Sequence, residues 1–391
     1  MVNYMDRQVV FALFPVLRRE MQFTDTQLGL AGSLFTWTYS CSMPVAGRLA
    51  DLFSKRRLVI LSLIFWSLAT VATGLSRGVG EFLASRVLMG LSESLYIPAA
   101  IALITQAHPG ATRSRALSIH GFAQFTGITL GGWYGGWSAE QIGWRMGLFT
   151  LAIAGIAWAC VLGRFLRSDA APAVALEKDS ASPRELFRAA TFWTMSVTFF
   201  SFCAMLWMLY AWLPSHIFDT FKLSLAESGL AATIYLQSSS AVGVLLGGYL
   251  GDRFGKGDPM GRFRVLAGGL LCCAPFAVAA FGASSLTLLK ISACGFGLFA
   301  GLFVANIFSG LYDVVSRRNF GFATGLVNMI GGLGAGAAIL LTGMLKQSMS
   351  ISSLMLFGAS ASMFMSLVLL YVLTRHFTRQ SIRHPQTVYG S

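Results

Sequence analysis

The sequence predicts an all-α membrane protein of twelve spanning helices, arranged as two six-helix bundles. Three observations carry that prediction: apolar stretches along the whole chain, basic residues gathered in alternate loops, and a loop signature that recurs half a chain later. Of 391 residues, 55% are hydrophobic and 12% charged, whereas a soluble domain is about a quarter charged. A bilayer core takes about 20 residues of helix. Stretches near 2–17, 26–49, 58–76, 81–107, 114–137, 145–166, 191–216, 226–250, 263–283, 287–311, 319–343 and 352–374 supply twelve such spans. Little chain is left for a domain outside the membrane.

The net charge of +13 is compatible with nucleic acid, but its distribution argues for a bilayer. With loops assigned alternately to two sides, nineteen basic residues fall on one, among them Lys55, Arg56, Arg57, Arg113, Arg115, Arg253, Lys256, Arg262 and Arg264. Seven fall on the other: Arg18, Arg19, Arg77, Arg145, Lys222, Lys290 and Lys346. That is the positive-inside bias, and it places both termini in the cytoplasm. The domains expected are a bundle over 1–166, a cytoplasmic linker over 167–190, a second bundle over 191–376 and a cytoplasmic tail over 377–391. The linker is polar, with Asp169, Pro172, Glu177, Lys178 and Asp179. The six cysteines lie in apolar spans without metal-ligand spacing, so free packed thiols are expected, with no metal and no cofactor.

The first span is short. Five residues precede Asp6, and Arg18-Arg19-Glu20 ends it. A helix over 2–17 reaches about 24 Å at about 1.5 Å per residue, less than the bilayer core. The expectation is that helix 1 is truncated and that residues precede Met1.

The turn after span 2 reads Gly47-x-x-x-Asp51-Leu52-x-Ser54-Lys55, and that after span 8 reads Gly248-x-x-x-Asp252-Arg253-x-Gly255-Lys256. The offset of 201 residues points to a duplicated six-helix half. Glycine lets helices approach closely. The aspartate can accept from a helix N-terminus and pair with a cation, for which Arg113 and Arg115 are candidates. Asp51, Arg113, Arg115, Asp252 and Arg253 are therefore the expected gating latch.

This signature resembles that of the major facilitator superfamily, Gly-x-x-x-Asp-Arg/Lys-x-Gly-Arg/Lys-Arg/Lys, with departures at Leu52 and Ser54. Further runs are similar to its anion:cation symporters, which include bacterial sugar-acid importers and animal sialic-acid, phosphate and glutamate carriers. They are Asn3-Tyr4-Met5-Asp6-Arg7, Phe35-Thr36-Trp37-Thr38-Tyr39 with Pro44, Arg86-x-x-x-Gly90-x-x-Glu93 with Pro98, Gly143-Trp144-Arg145, and Trp212-Leu213-Pro214. The resemblance spans nearly the whole chain. Glycine at 132, where the superfamily's drug antiporters carry proline, favours a symporter.

Arg86, Gly90, Glu93 and Ile97 line one helix face, with Arg86 and Glu93 about 10 Å apart along the axis. Each therefore needs a partner elsewhere, and Asp6 and Arg7 are those partners by elimination. Ionisable residues inside a membrane mark a substrate or proton path, although an ion-pair network pinning helix 1 to helix 4 accounts for them too. A buried carboxylate takes a proton readily, and arginine offers a planar fork for a carboxylate or phosphate. The resemblance implies proton coupling at Asp6 and Glu93 and substrate contact at Arg7 and Arg86, without deciding which arginine holds substrate. Tyr4, Tyr39, Gln124 and Asn328 match cavity positions of that family, and Tyr210 and Asn306 are further donors. His120 reads as packing, and Gln237 has no assigned role.

The leading expectation is proton-coupled import of a small organic anion by alternating access, through an inner-membrane, monomeric carrier. A spinster-like lipid or lysolipid carrier shares the helix 1 run and the helix 4 Arg and Glu, but the helix 2 and helix 7 aromatics argue against it. A non-transporting sensor on the same fold tolerates loss of the charged set, which is intact here. No nucleophile–base pair, metal cluster or phosphate loop speaks for an enzyme.

Overall fold

A computed structural model describes residues 1–108, 112–166, 183–316 and 319–383. Residues 167–182 of the expected linker, 384–391 of the expected tail, and Arg317 and Arg318 lie outside them. The described residues form helices and no strand. In chain order these are α1 (Val2–Ala12), α2 (Phe14–Glu20), α3 (Asp25–Leu52), α4 (Lys55–Leu75), α5 (Val79–Ser94), α6 (Tyr96–Ala107), α7 (Arg113–Gln141) and α8 (Trp144–Phe165). They continue with α9 (Pro183–Arg188), α10 (Ala190–Phe221), α11 (Leu225–Gly255), α12 (Gly261–Phe281), α13 (Leu286–Val314), α14 (Phe320–Leu345) and α15 (Ile351–Arg383).

Among the described residues nine helical stretches are long and apolar enough to cross a membrane, with α5 and α6 counted as one. The spans expected at 2–17, 26–49 and 114–137 are helical but too polar or too short to qualify. Those are α1 with α2, α3 and α7, which carry much of the buried polar chemistry described below. Two expected spans are broken by proline. Pro15 ends α1 at Leu13 and Pro98 ends α5 at Leu95, since a proline ring clashes with the carbonyl four residues back and offers no N–H. The short helix α9 inside the expected linker has no apolar signal in the sequence.

The duplicated architecture shows in the turns. Thr24 and Gln27 cap α3 reciprocally, and Ser224 and Glu227, each 200 residues on, do the same for α11. Just before each cap the backbone turns through positive φ, at Gln22 and at Lys222.

The chain divides into two compact units. One comprises 1–178, 207–234 and 335–348; the other 179–206, 235–334 and 349–391. The first unit thus joins helices α1–α8 to the adjoining ends of α10 and α11 and the last turns of α14. Its helices meet through glycine. A side chain at Gly131 would sit 2.8 Å from the Met5 backbone, binding α7 to α1, and one at Gly90 would sit 2.7 Å from the Phe35 carbonyl, binding α5 to α3. A Cβ on Gly229 would run into the Gly132 carbonyl oxygen, so α11 meets α7 backbone to backbone. In the second unit α12 packs on α13 and α15.

Candidate functional site

The charged set gathers in the first unit, inside its helices. Asp6 and Arg7 sit mid-way along α1, and Arg86 and Glu93 two turns apart on α5. All four are buried, with Arg86 and Glu93 at 0% exposure. Arg7 donates through Nε to Glu93 Oε2 at 2.6 Å. Its guanidinium is walled by aromatic rings, 4.2 Å from the Tyr39 centroid, 5.0 Å from Tyr4 and 5.2 Å from Phe35. Such rings hold a cation in place without neutralising it. Arg7 Nη2 and Glu93 Oε1 make no hydrogen bond, so the pair is joined by one edge and has capacity left over.

The second expected pair, Arg86 with Asp6, does not form. Arg86 donates to the Met89 thioether and lies 4.9 Å from the other pole of this arrangement, the Phe35 ring, leaving Nε and Nη2 without partners. Asp6 accepts from the Thr70 hydroxyl of α4 at 3.2 Å. Phe35 therefore lies against both guanidiniums, a role its place in an aromatic run of helix 2 does not announce.

Of the remaining expected residues, Tyr4 and Tyr39 stand at Arg7, and Gln124 is half-buried on α7. Tyr210 is half-buried on α10, and its carbonyl accepts from Gln8 at 3.1 Å. Gln8 itself, one residue past Arg7 and 3% exposed, was not singled out by the sequence. His120 stacks on Tyr96, as the packing reading expects. In the second unit, Asn328 donates to the Thr324 carbonyl of its own helix. Asn306 is 2% exposed and gives its amide hydrogens to the carbonyls of Gly247 and Leu302, at 2.8 and 2.9 Å. Its donors are consumed in locking α13 to α11, so it is a packing residue and not a free donor.

Among the described residues the Asp51 contacts expected of a latch are not made. Asp51, Arg113 and Arg115 are exposed and form no ion pair with one another. Among the described residues Asp252 pairs with Arg262 at the start of α12, at 3.0 Å, since α12 begins only nine residues on; the cations before span 11, Arg317 and Arg318, lie outside those residues. Arg253 donates to the Tyr249 hydroxyl on its own helix. What the sequence missed is an ionic cluster at the opposite end of the first unit. There Arg18 bonds Asp25 at 3.0 Å and Asp219 at 3.3 Å, and Lys346 bonds Asp25 at 3.1 Å. The Gly-Trp-Arg run borders it: Gly143 adopts φ 82°, Trp144 donates to Glu20, and Arg145 donates to the Ser76 carbonyl.

The comparisons with known proteins agree with this architecture. The chain is 28% identical to a probable sulfoacetate transporter of Cupriavidus necator, over 93% of this chain and 91% of that protein. It is 25% identical to a probable L-galactonate transporter of Escherichia coli, over 88% and 80% respectively. The fold matches a bacterial homolog of the human lysosomal transporter Spinster in an inward-facing, unoccupied conformation, with TM-score 0.78, 21% identity, and coverage of 95% and 92%. The family model described as Major Facilitator Superfamily matches residues 1–260 and 213–387. The chain belongs to the Major Facilitator Superfamily, and it is a multi-pass membrane transporter, not an enzyme.

Proposed function

We propose that the protein imports a small organic anion, a sugar acid or another short carboxylate or sulfonate, together with protons. The observation that carries this reading is the buried single-edged pair of Arg7 and Glu93. An anion entering the site competes with Glu93 for the same guanidinium. Protonation of Glu93 removes the competitor and frees the fork for the substrate, which arginine binds through two parallel hydrogen bonds.

Charge balance points the same way. Asp6, Glu93, Arg7 and Arg86 sum to zero, and an anion added alone leaves one net negative charge in a low-dielectric interior. A proton taken up with it restores neutrality, so one proton per monoanion is the favoured loading. Arg86, out of pairing distance of any acid and set against Phe35, supplies the fixed positive field at the site. The names of the related sulfoacetate and L-galactonate transporters support an anionic substrate. We place both termini in the cytoplasm on the asymmetry of the basic loops. We place the protein in a bacterial-type inner membrane, as its bacterial relatives suggest, and as a monomer, the default of its family.

The test is uptake of labelled L-galactonate, a hexuronate and sulfoacetate into proteoliposomes under an inward proton gradient, with a lysophospholipid as a parallel arm. Uptake of at least one anion that collapses with a protonophore is the expected result. Gradient-independent uptake, or movement of the lysolipid alone, overturns the reading.

A further inference from the structure

Asp6 differs from Glu93 in what surrounds it. No arginine pairs with it. It accepts a hydrogen bond from Thr70 Oγ1, 3.2 Å from Oδ1, with the Trp66 indole close by, and the same hydroxyl is 3.0 Å from the Trp66 carbonyl of its own helix. Thr70 is 0% exposed, and the Trp66 indole N–H beside it has no hydrogen-bond partner. The charged groups acting on Asp6 are Glu93 and Arg86 from α5, with Arg7 on its own helix turned toward Glu93. Helix α4 presents only a hydroxyl and an indole, and α7 meets this stretch of α1 through Gly127, Gly131 and Gly135.

A hydroxyl has one hydrogen and here lies within reach of two acceptors. When Asp6 is ionised, that hydrogen is drawn to the carboxylate, since bonds to charged acceptors are about twice as strong as neutral ones. When Asp6 carries a proton, the carboxylic acid donates to Thr70 Oγ1, and the hydroxyl hydrogen turns to the Trp66 carbonyl. In both states the Asp6–Thr70 contact keeps a hydrogen between its two oxygens, so it holds Asp6 in one place through its whole titration.

We infer that Thr70 is the positioning residue of a proton site at Asp6, set between α1 and α4 and apart from the Arg7–Glu93 pair. The inference rests on the proton-coupled reading above. A proton at Asp6 is then held on a different face of α1 from the Arg7–Glu93 pair that meets the anion, and it reports its presence through α4.

The test needs no substrate. Infrared titration of the detergent-solubilised protein follows the carboxylic acid carbonyl stretch, and Asp6→Asn assigns the Asp6 band by its loss. Thr70→Val, nearly the same shape without the hydroxyl, is expected to shift that band and raise its midpoint by about one pH unit, a tenfold gain in proton affinity. The direction follows from loss of a donor to the ionised form. Thr70→Ser is expected to restore both. Should Thr70→Val fold poorly, Thr70→Ala gives the same comparison. An unchanged midpoint and frequency in the hydroxyl-free variant, or no band assignable to Asp6, overturns the inference. Failure of anion uptake with the infrared shift intact counts against the transport reading alone.

Discussion

Lys346 Nζ lies 3.1 Å from Asp25 Oδ1, so the residue after α14 is tied to the first turn of α3. Arg18 holds the same carboxylate oxygen from the other side. Asp25 therefore answers two cations at a helix N-terminus, where a negative charge is favoured in any case. Asp25→Asn removes the carboxylate that both cations bond and leaves Arg18 and Lys346 to repel each other. The expected cost is about 1–2 kcal/mol, more than a lone surface pair, and a thermal midpoint lower by a few degrees. Light scattering or tryptophan fluorescence on heating measures it.

Lys346 gives that cluster a pH dependence. Burial, reinforced by the Arg18 cation, pushes its ammonium below the ordinary lysine value, against the pull of Asp25. The folded state thus gives up this proton before the unfolded chain does. Between the depressed value and about 10.4 the unfolded chain binds more protons, and stability from this group rises with pH. Lys346→Gln is expected to remove that rise. Midpoints for the two proteins from about pH 8 to about pH 11 decide it, with parallel curves speaking against the assignment.

Gly132 and Gly229 admit no substituent. Gly229→Ala drives a methyl into the Gly132 carbonyl oxygen of α7. Neither helix can yield locally, so overpacking of about 1–3 kcal/mol is expected. The same change at Gly268, where a Cβ meets nothing within 4 Å, is the control. Equal midpoints for the two alanine variants would refute the close approach. A cysteine at Ser228 is also expected to label faster when Gly229 is alanine.

Glu93→Gln mimics a permanently protonated acid. Uphill uptake is expected to be lost while substrate counterflow persists, because Arg7 is free in every state. Arg7→Lys keeps a charge but forfeits the planar fork, and is expected to weaken both assays by tenfold or more, about 1.4 kcal/mol. Uphill accumulation by Glu93→Gln in response to pH alone would remove Glu93 from the coupling role.

The Asp252 end calls for small effects. Arg262 spans Asp252 at 3.0 Å and Asp313 at 3.6 Å, but the two acids are 75% and 46% exposed. Exposed pairs contribute about 0.2–1 kcal/mol. Arg262→Gln is expected to lower the thermal midpoint by a degree or two, and Asp51→Asn, with no ion pair to lose among the described residues, to leave it unchanged.

The helices and the Arg7–Glu93 pair were legible in the sequence because both follow from local cost. Apolar runs can only be helices in a bilayer, and a charge inside one demands a partner. Arg86 and Asp6 were misjudged because the same rule names no partner. An aromatic face and a thioether received one, and a hydroxyl from span 3 the other. Thr70 gave no signal, since a lone threonine in an apolar helix usually bonds its own backbone, as this one also does. The Arg18–Asp25–Asp219–Lys346 cluster was hidden for a different reason. Its members sit at the ends of α2, α3, α10 and α14 and read singly as wetted helix ends.

The membership of the first unit bears on how the chain is made. Gly132, Gly136 and Glu140 face Gly229, Leu225 and the Leu225 amide, and Asp25 awaits Lys346. Those partners are synthesised long after the first six spans have entered the membrane. The early helices must therefore wait, with bare backbone at Gly132 and Gly136 and with Asp25 held by Arg18 alone, until those partners have left the ribosome. A product ending at residue 178 is expected to be retained by insertion chaperones or degraded, although every one of its own helices is present.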